Sequence, residues 1–438
     1  LNGNNPMGNG RINTIEFDPI DPNIIWIGAA GGGLWKTIDG GNNWTTNTDG
    51  LPTISISSIA INSVNPQEML IATGDQIGNS YTTTIGVLKS IDGGISWDTT
   101  GTNAAVHKLV MNPDNPDSVF AGTKDGILLS IDGGINWNII FSSSDSSSSY
   151  ATALDIEFMP GNSNVIYAAF KRSAFPGNSF ASVYRTTDGG SNWSVIDSGF
   201  GGSNIEIAVT NINPNVIYTL YTTPWGTYKG LYKSIDMGDN WTLQSNSPAG
   251  MIQQGEYNLS LAVDPTDETN VWIGGINKFQ SIDNGESWTN AGIGHADQHY
   301  AIFNPLNNTL FVANDGGIYK YINNAFANIS NDLRITQFYK LGLSSTNPDK
   351  LVGGTQDNGT HMFNNGIFDN IAGADGMECA IDQFNENKIF SSAQYGHLRR
   401  CDDISLPNYI WKDITPIGVF GAWVTPYKLH PMNNNMIV

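Results

Sequence analysis

The chain has 438 residues, only 14% of them charged, and 40 acidic against 20 basic side chains leave a formal charge of −20. No Lys/Arg cluster offers a footprint for a phosphate backbone, which argues against nucleic acid as a partner. No apolar run approaches the ~18–20 residues that span a bilayer, so membrane insertion is not expected. An acidic surface rich in Asn, Ser, Thr and Gly suits a secreted or cell-surface protein and leaves cations or neutral polysaccharide as partner classes.

Leu1 opens into Asn/Gly-rich sequence without a signal-peptide pattern, as in a mature or trimmed chain. In chain order, Ile12–Phe17, Ile24–Ile27 and Leu34–Thr37 read as three short strands. The pattern repeats at Ile54–Asn62, Met69–Ala72 and Gly86–Ser90, with a fourth strand from Trp97. No segment has a helical period. After each third strand comes Ser/Thr-x-Asp-x-Gly-x-x-Trp: Thr37–Trp44, Ser90–Trp97, Ser130–Trp137, Thr186–Trp193, Ser234–Trp241 and Ser281–Trp288. These boxes lie 40 to 56 residues apart, the period of a four-stranded propeller blade. Asp39, Asp92, Asp132, Asp188, Asp236 and Asp283 are expected to accept N–H groups of their own turns, which makes them structural. The box Gly supplies positive φ and the Trp covers the hairpin.

Out of phase with the boxes run turns built on proline, among them Asp18-Pro19, Asn65-Pro66, Asn112-Pro113, Met159-Pro160-Gly161 and Asn213-Pro214, and these connect first to second strands. Ser142–Ser149 reads as a low-complexity loop between blades 3 and 4. After Trp288 the box decays. Asp315–Lys320 keeps a third strand, Gly353–Asn370 and Ser391–Trp411 look like two further blades, and Thr425–Val438 like the start of another. The fold expected is therefore an all-β propeller of about nine blades plus a partial one. Residues 1–340 form about seven blades. Residues 341–438 either open a second propeller or continue a ten-bladed ring, and the decaying boxes favour the tandem form. Further domains of the same polypeptide are compatible with either. Cys379 and Cys401 fall in neighbouring predicted blades, as one disulfide or two buried thiols.

Strand direction places boxes and proline turns on one face, and second-to-third loops with the starts of first strands on the other. Polar groups crowd that second face in blades 7 to 9: Asp315, Gln356, Asp357 and Asn358 in loops, and His295, Asp297, His299, Tyr339, Asp375 and Trp423 at strand starts. His295, Asp297 and His299 alternate, so on a strand they would face one side, either as a metal set or as a hydrogen-bonded trio. Calcium in the Gln356–Gly359 loop is a second cation reading. Asp315 and Asp375 could serve as the carboxylate pair of a glycosidase. Tyr81, Trp225, Tyr257, Tyr339, Tyr395 and Trp423 could stack on sugars or pack between blades. Arg399-Arg400 could clamp an anionic sugar or stand solvated.

The boxes and the opening Gly10-Arg11-Ile12-Asn13 through Gly31–Thr37 resemble the Asp-box (BNR-repeat) propeller superfamily, and most of all its secreted bacterial surface proteins. More distant likenesses are the xyloglucanase-like glycoside hydrolases and the sortilin-type receptors. In the xyloglucanase-like group a catalytic Asp precedes Gly-Gly-x-Tyr. Asp315-Gly316-Gly317-Ile318-Tyr319 matches that pattern, whereas the first-blade acid is replaced by Ala30. The resemblance implies a module that binds polysaccharide or a surface protein through blades 6 to 9. A hydrolase with Asp315 as base and Asp375 as acid, and a structural element of a surface assembly, are the alternatives.

Overall fold

The computed structural model describes residues 8–75, 82–142, 150–174, 178–197, 200–245, 252–292, 294–418 and 420–438. Tyr81 and residues 143–149 of the serine-rich loop lie outside them. The chain is a multi-blade β-propeller: among the described residues there are nine four-stranded sheets and one two-stranded sheet, all antiparallel and each running in sequence order. Among the described residues the sole helical element is a single 3₁₀ turn, Gln394–Gly396. Blades 1 to 7 span 12–46, 56–99, 106–141, 150–195, 204–245, 260–290 and 298–328. Blade 8 spans 338–372 and blade 9 spans 379–413, and Leu429–His430 pairs with Asn433–Ile437.

The chain divides into two compact units, Arg11–Leu333 and a C-terminal unit of Arg334–Val438 with the residues up to Gly10. Arg11–Leu333 holds blades 1 to 7 and closes on itself: the first two strands of blade 7 pack against Ile12–Phe17 of blade 1. At that seam the Phe17 and Phe311 rings lie 5.2 Å apart. The Trp44 indole N–H donates to Ile329 O at 2.8 Å, and the Asn304 amide donates to Pro22 O at 3.2 Å.

The core lies between blades. Leu70 and Val87 of blade 2 pack on Leu109 and Val119 of blade 3, and Phe120 and Ile127 of blade 3 on Ile156, Ile166 and Phe170 of blade 4. β-Branched and aromatic residues fit such half-pleated surfaces, which is why the short apolar runs become strands.

The box turns share one bonding scheme, seen in blade 3. Ser130 Oγ donates to Asp132 Oδ1 at 2.7 Å and accepts the Gly134 N–H at 2.9 Å. Asp132 Oδ1 also accepts the N–H groups of Ile135 and Asn136 at 3.1 and 2.8 Å. In every box the residue before the box Gly donates its N–H to the first-to-second-strand turn of the same blade or to the start of its second strand, as Gly40 does to Asn23 O and Gly133 to Asp117 O. Boxes and proline turns therefore share one face, here the lower, and the loops between second and third strands take the upper.

Cys379 and Cys401 are free and buried. They do not belong to neighbouring blades. Both lie in blade 9, on strands Cys379–Ile381 and His397–Cys401. The three-residue strand Cys379–Ile381 is too short to show alternation, so the sequence did not attach it to its own sheet.

Candidate functional site

Two polar clusters carry the predicted site residues, one in each unit. In Arg11–Leu333 the cluster sits on the upper face, where the starts of the inner strands of blades 1 and 7 meet the loops after Thr73 and Asn314. Arg11 forms an ion pair with Asp75, both almost fully buried. Asn13 Nδ2 donates to Ile56 O at 3.1 Å and to Asp75 Oδ1 at 3.4 Å. Asp315, 1% exposed, has both oxygens engaged: Tyr257 OH donates to Oδ2 at 2.7 Å, and His299 Nε2 lies 2.7 Å from Oδ1. The Arg11 guanidinium stands 5.4 Å over the Tyr257 ring, and Tyr257 meets His299 edge-on at 4.9 Å.

Burial, and next the Arg11 charge, push His299 down to about 3, so its imidazole is neutral. Burial, and next the charge of Asp315, raise Asp297. This arrangement holds charge in place. Tyr257 and His299 thus hold both Asp315 oxygens.

His295, Asp297 and His299 do not line one face of a strand. The strand begins at Gln298, and Asp297 has φ +64, which turns the chain before it. The three side chains take separate partners: His299 has Asp315, Asp297 accepts from Asn258, and His295 Nδ1 lies 3.2 Å from Ala296 O. As a metal triad the three do not converge among the described residues. Arg11, Asn13, Asp75 and Asn258 carry no site role in the sequence reading. Arg11 was legible in principle, since a charged residue opening a strand that must be buried needs a partner.

In the C-terminal unit, Asp375 is buried. It accepts the Asp357 N–H at 2.7 Å and the Gln394 amide. Burial, and next the Asp357 charge, raise it to about 6. The Gln356–Gly359 loop turns its polar groups onto the protein: Asn358 Nδ2 donates to Gln356 O, and Asn358 O receives the Asn370 amide and His361 Nε2.

Next to Gln394, Tyr395 has φ 59 and ψ 25. Its N–H donates to Trp423 O at 3.2 Å, and its carbonyl accepts from Gly421 at 3.0 Å. Its ring meets Trp423 edge-on at 5.3 Å, and the Trp423 indole reaches Tyr339 OH at 3.5 Å. Tyr395 is 47%, Trp423 45% and Phe420 89% exposed, so the three aromatics face solvent. Arg399 and Arg400 diverge and form no clamp. Arg399 donates to Gly373 O and lies over Trp411, while Arg400 pairs with Asp402.

Asp315 thus lies in one unit and Asp375 in the other. No family model matches the chain, and no curated protein matches it. Solved structures do. A GH74 enzyme of Niastella koreensis is similar over 95% of this chain and 74% of its own, at 15% identity and TM-score 0.62. The GH74 xyloglucanase from Xanthomonas campestris is similar over 94% and 74%, at 14% and 0.60. An ancestral GH74 enzyme is similar over 99% and 74%, at 15% and 0.63. At such identity the likeness is one of fold, a multi-blade propeller.

Proposed function

We propose that this chain is a secreted or cell-surface propeller that binds polysaccharide, using the Tyr395–Trp423–Tyr339 platform beside Asp375. One observation carries the reading. Tyr395 occupies a left-handed conformation that costs a non-glycine residue roughly 1–2 kcal/mol. Its ring nevertheless stays in solvent, clasped through the backbone by Trp423 and Gly421, instead of filling core. A pyranose has an apolar C–H face and a polar rim. Tyr and Trp pair with the face, and Gln394 with Asp375 would fix the rim. The acidic surface favours a neutral glycan over an anionic one. The fold likeness to a xyloglucanase makes xyloglucan the first probe. A surface protein is the other partner class.

A xyloglucanase-like hydrolase is the second reading, favoured by Asp375 alone, since a carboxyl raised to about 6 suits a general acid near neutrality. In that reading its partner is Asp315, whose oxygens are held by Tyr257 and His299.

Both readings are tested together by affinity electrophoresis in xyloglucan and by release of reducing ends. Binding predicts that Tyr395→Ala and Trp423→Ala each weaken retention about tenfold, while Asp375→Asn is still retained and no variant releases sugar. Release by the unaltered protein that Asp375→Asn abolishes would replace binding with hydrolysis. Equal retention of both aromatic variants would remove the platform.

A further inference from the structure

We propose that the Lys278 amine is a reactive site that takes small neutral aldehydes as an imine. Lys278 opens the third strand of blade 6, Lys278–Ser281, and is 4% exposed. Among the described residues two other lysines are as deeply placed, Lys350 and Lys388, and each has a partner. Lys350 Nζ donates to Asn387 Oδ1 at 2.9 Å, and Lys388 Nζ lies 3.4 Å from Asp382 Oδ2. The Lys278 ammonium has neither an ion pair nor a hydrogen bond among the described residues.

Its surroundings are aromatic. The ammonium stands 5.2 Å from the Phe326 ring centroid and 6.0 Å from that of Tyr319, on the two outer strands of blade 7. Trp272 meets Phe326 edge-on at 5.8 Å, within the apolar cluster that joins blades 6 and 7. Ring faces attract a cation, but they offer no acceptor in place of the water that a buried ammonium sheds. Burial therefore favours the neutral amine and, with no charged group acting on it, pushes Lys278 down to about 8. A desolvated amine of this kind is a nucleophile near neutral pH.

Gly294 sets what can reach it. A Cβ at that position would stand 2.7 Å from Lys278 Nζ, so the missing side chain leaves an approach to the amine, and one fit only for a small reagent. The niche also selects the class of electrophile. A carbamate or phosphoramidate would bury an anion with no donor to receive it. An imine adds no anion and, when protonated, keeps a cation beside Phe326. In the step, the nitrogen lone pair forms a bond to the carbonyl carbon and the C=O π pair moves to oxygen. That oxygen leaves as water with the two amine protons, and a C=N bond remains.

The site stands whether or not the chain binds polysaccharide. Its test is methylation of the full chain by limiting formaldehyde, with cyanoborohydride to reduce the imine and peptide mass mapping to rank the lysines. Lys124 and Lys412 are exposed and serve as references. At pH 7 an amine at about 8 is neutral on the order of a hundred times more often than an ordinary lysine, while burial slows the reagent. We expect Lys278 to react about tenfold faster than the references at pH 7, and that lead to shrink severalfold at pH 10, where the references also lose protons. Lys278→Met, which keeps the stem in its niche, should remove the fast phase and leave the slow one, with the thermal midpoint as a folding control. Lys278 reacting no faster than Lys124 and Lys412 at pH 7 would overturn the site and leave a packing lysine. A lead unchanged at pH 10, or a fast phase that survives in Lys278→Met, would overturn it equally.

Discussion

Gly134 shows how one atom decides a repeat. It sits at φ +89, and a Cβ there would lie 2.6 Å from Leu70 Cδ1 of the preceding blade. Gly161 is also left-handed, at φ +76, but a Cβ would meet nothing within 4 Å. Alanine at Gly161 should cost backbone strain alone, about 1 kcal/mol. Alanine at Gly134 should cost about 2–3 kcal/mol, because Leu70 must also move. Chemical denaturation of the two variants tests this, and equal losses would show that blade contact adds nothing to the conserved Gly. Asp315 teaches the opposite lesson. Its place before Gly-Gly-x-Tyr was legible, but its partners were not. Its oxygens are held by Tyr257 and His299, 58 and 16 residues away in the chain.

At the level of strands and turns, legibility followed the range of the forces. The box is a local hydrogen-bonded unit, so its spacing alone foretold four-stranded blades, and the proline turns foretold which face they share. Ile12–Phe17 was read to its ends because a short segment carrying Ile12, Ile15 and Phe17, bounded by Gly10 and the Asp18-Pro19 turn, is a local signal. The alternation assumed for His295, Asp297 and His299 failed because nothing local announces the left-handed Asp297. The sequence named Tyr395 and Trp423 singly, but their meeting depends on Trp423 O and Gly421 N–H clasping the Gln394–Gly396 turn from a distant loop. The cysteines are a further case. Cys379 Sγ donates to Val352 O at 3.3 Å, and burial pushes its thiol up to about 12. Burial raises Cys401 as well. Neither thiol should react with a disulfide reagent at neutral pH until the C-terminal unit unfolds. Two thiols titrated only in denaturant would agree, and rapid native labelling would show that blade 9 opens.

The closed ring of Arg11–Leu333 gathers ionisable groups that no single blade would. Lys108 Nζ lies 3.2 Å from both Asp155 and Glu157 and 3.3 Å from Tyr300 OH. Burial raises Glu16 to about 7, against a backbone hydrogen bond from Phe17 and the pull of Lys108. Burial also raises Glu157 and Glu206. A carboxyl whose folded pKa is raised holds its proton more tightly when folded, so its contribution is fully present at low pH and is lost as pH rises through the folded value. The buried histidines act in the other direction. His107, lowered to about 4 by burial and Lys171, and His299, lowered to about 3, favour folding more as pH climbs towards 6.5. The box carboxylates, such as Asp39 and Asp188 held at about 2 by side-chain and backbone hydrogen bonds, lose their contribution only in acid. Between their ordinary value and 6.5 the glutamates and histidines offset each other, whereas above that only the glutamates titrate. The thermal midpoint of Arg11–Leu333 should therefore fall between about pH 6.5 and pH 8. Glu16→Gln should raise it at the upper end, by at most about 3 kcal/mol of stability, and change it little only below about pH 4.5, where Glu16 carries its proton folded and unfolded alike. A Glu16→Gln profile parallel to that of the unaltered chain would mean that the channel draws its pH dependence from Glu157 and Glu206 instead.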